Sequence, residues 1–241
     1  LALCFQSPSF IGKDEDPWWR VTKFMDDFNS LRELSISPGW LMCIDETMIK
    51  WRGQGLPWLA WVPRKPEEHG VEMWTVADVS TGIMMHMDLN KGRDLNKEKD
   101  FYTQYGATTA ATLRGVQPFF HTGRTIVADS WFASYKTAKA LLYRGLYFIG
   151  NVKTAHRQFP KAHMRGELDG TGRGAKIVMK SETPALGSIY GVGWNDHHLK
   201  TFIFTSGVTM YGVPAERRRQ DEFGNCVPKQ VDCPQVLNDF Y

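Results

Sequence analysis

Two adjacent carboxylates, Asp45 and Glu46, end the apolar run Trp40-Leu-Met-Cys-Ile44, and a third, Asp129, ends the run Thr125-Ile-Val-Ala128. A buried strand tolerates a charge at its end, where the backbone reaches the surface, and rarely in its middle. The pattern therefore predicts acids at strand tips, open to solvent and held by rigid backbone, which is where sheets covered by helices commonly carry catalytic groups. Acids at strand ends also serve as helix caps and solvated turns, and the residues alone leave both readings open.

The elements that must position these acids follow from periodicity. Asp14-Glu-Asp-Pro17 is a helix start, and Trp18, Val21, Met25, Phe28, Leu31 and Leu34 recur at three- and four-residue steps, which predicts an amphipathic helix over 18–34. Ile36-Ser-Pro-Gly39 ends it and leads into the first Asp strand. Val71–Asp78 and Ile83–Asn90 are two further strands around a turn at Ser80-Thr-Gly82, with Asp78 shaping that turn. Lys91–Asp100 is a charged linker, Phe101–Leu113 a helix, Thr125–Asp129 the second Asp strand, and Ser134–Gly145 a helix capped at both ends. Leu146–Lys153 closes the series as a strand. Strand, hairpin, helix, strand, helix, strand is the connectivity of a ribonuclease-H-like α/β fold with a mixed sheet flanked by helices.

From Thr154 the character changes, with a basic stretch (Ala155–Arg165), a Gly-rich loop, and strands at Lys176–Lys180, Gly187–Asn195 and Lys200–Ser206. The expected organisation is a helical lead-in over 1–37, the first part of the core over 38–153, a small β-rich insertion over 154–215, and a return segment over 216–241. Asn195-Asp-His-His198 reads as a hairpin turn before a metal site. Arg217, Arg218 and Arg219 fit a solvated face or a phosphate contact equally. Around Trp58 and Trp61, the basic Arg64, Lys65 and His69 sit between prolines. Such a run suits contact with a nucleic-acid backbone and its bases, or an aromatic lid with a solvated basic tip.

Composition excludes some classes. The chain of 241 residues has no apolar run near the roughly 20 residues that span a bilayer, and lacks a secretory leader. It does not begin with Met, the mark of a fragment. Its four cysteines are too scattered for a disulfide framework, which points to a reducing compartment, and Cys226 and Cys233 lack the partners of a zinc finger. A net charge of +3 permits nucleic-acid binding without demanding it.

With both Asp segments in place, the chain resembles piggyBac-type transposases and the host proteins derived from them. The likeness runs through Ile44-Asp-Glu-Thr-Met-Ile-Lys-Trp-Arg-Gly53, Val62–Gly70, Asp129-Ser-Trp-Phe-Ala-Ser134, Gly150-Asn-Val-Lys153 and Gly193-Trp-Asn-Asp196. The resemblance implies a ribonuclease-H-like nuclease core with three metal-binding aspartates, of which Asp45 is the first and Asp129 the second. Mg²⁺ or Mn²⁺ is the implied cofactor, since hard carboxylate oxygens suit those ions. Phosphodiester cleavage uses two such cations roughly 3.5–4 Å apart. It further implies cut-and-paste transposition on double-stranded DNA, a homodimer, nuclear residence and no membrane. Arg64, Lys65, Lys153, Arg157 and Lys161 are the expected DNA contacts.

The departures are Ser130 in place of Asn, Glu72 near a position that usually holds Lys, Gln54 near one that holds Arg, and Asn151 and Lys153 within a usual Gly-Thr-Val-Arg run. The third acid is expected just past Tyr241, since Leu237–Tyr241 resembles its lead-in and neither Asp232 nor Asp239 stands in its place. The chain alone is accordingly expected not to cleave DNA. Two functions follow from the resemblance: a metal-dependent transposase core, favoured by the intact Asp45 and Asp129, and a host-adopted DNA-binding protein without catalysis.

Overall fold

The first helix starts on a side chain: the Asp16 carboxylate accepts from the Trp18 N–H at 2.9 Å and from the Thr22 hydroxyl at 2.5 Å. A computed structural model describes residues 16–241 except 54, 64, 154–155, 157, 184–185, 207 and 221–222. The expected contacts Arg64 and Arg157, the departure at Gln54 and the beginning of the helix start at Asp14 lie outside the described residues. The chain divides into two compact units, Leu1–Arg124 and Thr125–Tyr241.

In the first unit, α1 (Trp19–Ser35) lays Trp18 and Met25 on Val71, Met73, Met87 and Leu89. The expected apolar stripe is buried only in its first half, because Leu31 and Leu34 are 63% and 84% exposed. The sheet comprises β1 (Leu41–Lys50), β2 (Ala60–Trp61), β3 (His69–Asp78) and β4 (Met84–Leu89). All pairings within it are antiparallel, with β3 between β1 on one side and β2 and β4 on the other. At the outer edge of β4, the Asn29 side-chain amide donates to the Met87 carbonyl and accepts from the Met87 N–H, both at 2.9 Å.

Asp78 shapes the β3–β4 turn as expected. Its carboxylate accepts from the Gly39 and Thr81 N–H groups, both at 2.9 Å, and from the Ser80 and Thr81 hydroxyls, both at 2.6 Å. The hydroxyls of Ser80 and Thr81 are the main cause that holds its carboxyl down at about 2. A folded value below the unfolded 3.8 means that the stabilisation is present above pH 3.8 and is lost as pH falls towards 2. Asp78→Ala is expected to lower unfolding stability at pH 7 by about 2 kcal/mol in denaturant titration, with little loss below pH 2.

The Lys91–Asp100 segment holds a short helix, α2 (Arg93–Lys97), which its charge had concealed. The single helix expected over 101–113 is two, α3 (Tyr102–Tyr105) and α4 (Ala107–Val116), parted at Gly106, whose φ of 77° no helix accepts. From α4, Arg114 reaches Asp88 at 2.7 Å, and Lys99 meets the same carboxylate at 2.6 Å. A 3₁₀ turn (Gln117–Phe119) follows, and Arg124 then clasps the lead-in to β1, donating to the Pro38 and Gly39 carbonyls and the Ser37 hydroxyl at 2.9–3.2 Å.

The second unit begins with a parallel pair, β5 (Thr125–Ala128) and β6 (Tyr147–Asn151), joined by α5 (Tyr135–Leu142). Ser134 caps α5, accepting from the Thr137 N–H at 3.0 Å. The basic stretch forms α6 (Lys161–Leu168), a helix that the sequence pattern did not show. β7 (Lys176–Thr183), β8 (Gly187–Asn195) and β9 (Leu199–Phe204) form an antiparallel meander whose last strand pairs with β6, so these strands widen one mixed sheet. Phe132, Phe148, Trp194, Phe202 and Phe204 fill its core. The ribbon β10 (Ala215–Gln220) and β11 (Cys226–Val231) and the short α7 (Gln235–Asn238) complete the unit. No helix among the described residues is long and apolar enough to cross a membrane.

Candidate active site

Asp45 does not stand at a strand tip. β1 runs five residues beyond it to Lys50, and Asp45 pairs with Thr75 in the middle of the ladder. The expectation failed because burial varies along one face: Asp45 shares the face of Val71, Met73 and Thr75, part of which α1 covers, yet its own side chain is left in solvent, so the charge need not end the strand. Ile44 is 2% exposed on the opposite, covered face, whereas the Asp45 side chain stands in solvent. Asp45 Oδ1 accepts the Glu46 N–H at 2.8 Å, its carbonyl accepts the Thr75 hydroxyl at 3.4 Å, and Oδ2 carries no hydrogen bond among the described residues.

Glu46 faces the other way, as the alternation of an extended strand requires. Its side chain is only 9% exposed and meets Lys65 Nζ at 3.2 Å, and the same ammonium donates to the Glu46 carbonyl at 3.2 Å. Glu72, diagonal to it on the covered face, accepts from the Asn90 amide at 2.5 Å. Burial raises the Glu72 carboxyl above its ordinary value, and the charge of Glu46 raises it further against the opposing effects of Asn90 and Lys65. This cluster of Glu46, Lys65, Glu72 and Asn90 was missed in the sequence. The signal that pointed towards it was Glu72, which the resemblance had marked as an acid near a position expected to hold Lys.

Asp129 does occupy the predicted place, one residue past β5. Its side chain is exposed, with Oδ1 accepting the Trp131 N–H at 2.8 Å, and its carbonyl takes the Ala133 N–H at 3.0 Å. The turn that follows is therefore locked to the strand end, while Oδ2 has no partner among the described residues. The four residues before Asp129 are all buried, so the carboxylate is carried on backbone that cannot shift without opening the core.

Asp45 belongs to the first unit and Asp129 to the second. Among the described residues each keeps one carboxylate oxygen without a protein partner, a hard donor of the kind that Mg²⁺ or Mn²⁺ takes together with water. Among the described residues no group of three or more His, Cys, Asp and Glu converges.

Of the expected cationic contacts, Lys65 is brought to Glu46, Lys153 stands exposed just beyond β6, and Lys161 opens α6. Partial burial lowers the Lys161 ammonium from its ordinary value, and the charge of Arg165 one turn along lowers it further. Two positive groups thus crowd one helix face, which an anion would relieve.

The exposed His197 and His198 stack on each other at 4.3 Å in the β8–β9 turn, as the turn reading expected. Asp196 beside them is buried and takes three cations: Arg173 at 2.7 Å, Arg217 at 3.1 Å and Lys200 at 3.4 Å. Of the three arginines of β10, Arg217 is engaged by Asp196, whereas Arg218 and Arg219 stand exposed on opposite faces of the ribbon.

Among solved structures, the chain is similar to a piggyBac transposase in a synaptic complex with hairpin DNA, with a TM-score of 0.73 and 19% identity. The match covers 98% of this chain and 45% of that one, so the chain spans less than half the length of that protein. The likeness identifies the architecture as the mixed α/β, ribonuclease-H-like fold of that transposase's catalytic domain. No curated protein matches the chain. The family model described as Transposase IS4 matches residues 2–241, essentially the whole sequence, and the chain therefore belongs to that family, among the transposases of piggyBac type.

Proposed function

We propose that this chain is the core of a metal-dependent DNA transposase, in which Asp45 and Asp129 are catalytic carboxylates that hold Mg²⁺ or Mn²⁺. The observation that carries the reading is shared by the two acids. Each is exposed and each spends one oxygen on a local N–H, which among the described residues leaves the other without a partner. Bound there, the ion supplies Lewis-acid stabilisation of a phosphodiester under attack. The protein's own part is to hold the two carboxylates ionised and pre-oriented, so that little reorganisation accompanies the reaction. Family membership and the DNA in the matched complex support a DNA substrate for this chain. Nuclear residence and a homodimeric state belong to the same reading.

DNA approaches through phosphate contacts by Arg64, Lys65, Lys153, Arg157 and Lys161. Lys153 is free to neutralise a phosphate, whereas Lys65 already shares its charge with Glu46. Replacing Lys153, Arg157 and Lys161 by Ala is expected to weaken binding to duplexes of any sequence alike and to flatten log K against log salt by about 2–3. Lys65→Ala is expected to change that slope less than any of these. Titration of a fluorescent random-sequence duplex at several salt concentrations checks both. An unchanged slope in the triple variant would remove the proposed contacts. The full-length protein is expected to nick supercoiled plasmid in Mn²⁺. Binding without nicking would support instead a host-adopted, non-catalytic DNA-binding protein.

A further inference from the structure

The two tryptophans of the aromatic run part company in the structure. Trp58 lies on Gly92, where an added Cβ would come within 3.2 Å of its ring, so this indole is a lid over backbone. Trp61 is placed differently. It stands directly opposite His69 across β2 and β3, which puts both side chains on one face of the sheet, and the two rings stack at 6.0 Å and 18°. Trp61 is nonetheless 63% exposed, so its indole is backed by a ring on one side and open to solvent on the other. Among the described residues no second ring or cation meets it.

The backbone holds this pair in place. Just past Trp61 the Val62 N–H donates to the Glu68 carbonyl at 2.8 Å, and the Lys65 N–H donates to the Val62 carbonyl at 3.0 Å. The Lys65 ammonium in turn fastens the turn to Glu46, the neighbour of Asp45. The register also decides which way the rings look. Asp45 pairs with Thr75 and Ile49 with Val71, and alternate residues of β3 run on that face from Thr75 through Met73 and Val71 to His69. The Asp45 carboxylate and the stacked rings therefore lie on the same side of one sheet, about 20 Å apart along β3. α1 covers Val71 and Met73 between them, and the exposed Ile49 of β1 carries the open surface past that cover. A base inside a duplex has both faces taken by its neighbours, whereas an unpaired base gains from any flat aromatic surface it can reach.

We propose that Trp61, backed by His69, is a stacking platform for one unpaired base of the DNA strand whose phosphate lies at Asp45. The inference rests on the DNA reading above and adds to it a hold on that strand at a distance of roughly six stacked nucleotides, at 3.4 Å each.

The test uses the whole chain and a single-stranded oligonucleotide carrying one 5-iodouracil, crosslinked by ultraviolet light and mapped by mass spectrometry, with affinity measured in parallel. Crosslinks are expected on Trp61 or His69, and their absence from both overturns the proposal. Trp61→Ala is expected to weaken single-strand binding about tenfold with duplex affinity unchanged, and Trp61→Phe, which keeps a smaller ring, to lose less. Trp58→Ala, which removes the lid and leaves the platform, is expected to keep single-strand affinity. A loss in Trp58→Ala as large as in Trp61→Ala would make the effect one of folding and overturn the assignment, as would an equal loss of duplex binding in Trp61→Ala. Unaltered single-strand affinity in Trp61→Ala overturns the platform, while intact duplex binding in the same protein shows that the DNA reading stands. Failure of the unaltered protein to bind either DNA overturns both.

Discussion

Asp129→Asn in the full-length protein is expected to lower Mn²⁺-dependent nicking of supercoiled plasmid by about 10²–10³, and Asp45→Asn by a similar factor. Both substitutions keep the local structure. Asparagine retains the oxygen that accepts the Trp131 N–H in one case and the Glu46 N–H in the other, and it removes only the charge that a cation needs. Both side chains are exposed, so thermal unfolding is expected to move by no more than about 0.5 kcal/mol, which separates a catalytic loss from a folding loss. Glu46→Gln supplies the contrast, since it is adjacent in sequence and turned to the covered face. It is expected to keep most of the activity and to act only through Lys65. Nicking by Asp129→Asn at the rate of the unaltered protein would end the assignment of Asp129.

The largest expected effect on stability belongs to a different carboxylate. Burial pushes the Asp196 carboxyl up, but hydrogen bonds from Arg217 and Arg173 and the charge of Lys200 outweigh it and hold it at about 2. Asp196→Ala leaves those three cations facing one another around an empty site, and is expected to cost about 3 kcal/mol in chemical denaturation at pH 7. It also releases Arg217, one of the links that hold the β10–β11 ribbon to the rest of the unit. The sign of the pH effect follows from the depressed folded value. The contribution of Asp196 is complete above its ordinary 3.8 and disappears as pH falls through 2. The difference in stability between the unaltered protein and Asp196→Asn should accordingly shrink below pH 4. A gap that stayed constant down to pH 2 would show that the ion pairs are not its source.

The sequence revealed elements better than partners. β8 was legible to the residue because its alternation and flanking turn residues act locally, and the capped helix after Asp129 was legible for the same reason. β1 was misjudged in length because a charge was taken to end the strand, whereas exposure varies along a face with how far the covering helix reaches, which only the packed structure decides. Gly106 parts two helices that composition joins; glycine permits the positive φ of that turn without requiring it, so the residue alone did not reveal the break. The candidate acids could be named from sequence, since each interrupts an apolar run. Their surroundings could not. Lys65 lies 19 residues from Glu46, and Arg173 and Arg217 lie 23 and 21 residues from Asp196, so those contacts exist only once strands have found their register.

The pairing of Asn29 with Met87 bears on what this protein does at high concentration. A terminal strand offers its free N–H and C=O groups to any other chain that can lie alongside, which is how native sheets begin to polymerise. The carboxamide of Asn29 presents one donor and one acceptor at the spacing of a peptide group, so β4 is answered midway along its length by a side chain that has no second edge to extend. The sheet is thereby terminated with the chemistry of a strand and without a strand's capacity to recruit the next. Conversion of that amide to a carboxylate by slow deamidation would remove the donor and set a negative charge against the Met87 carbonyl. An aged preparation would then carry, in a fraction of its molecules, an open end at which self-association can start.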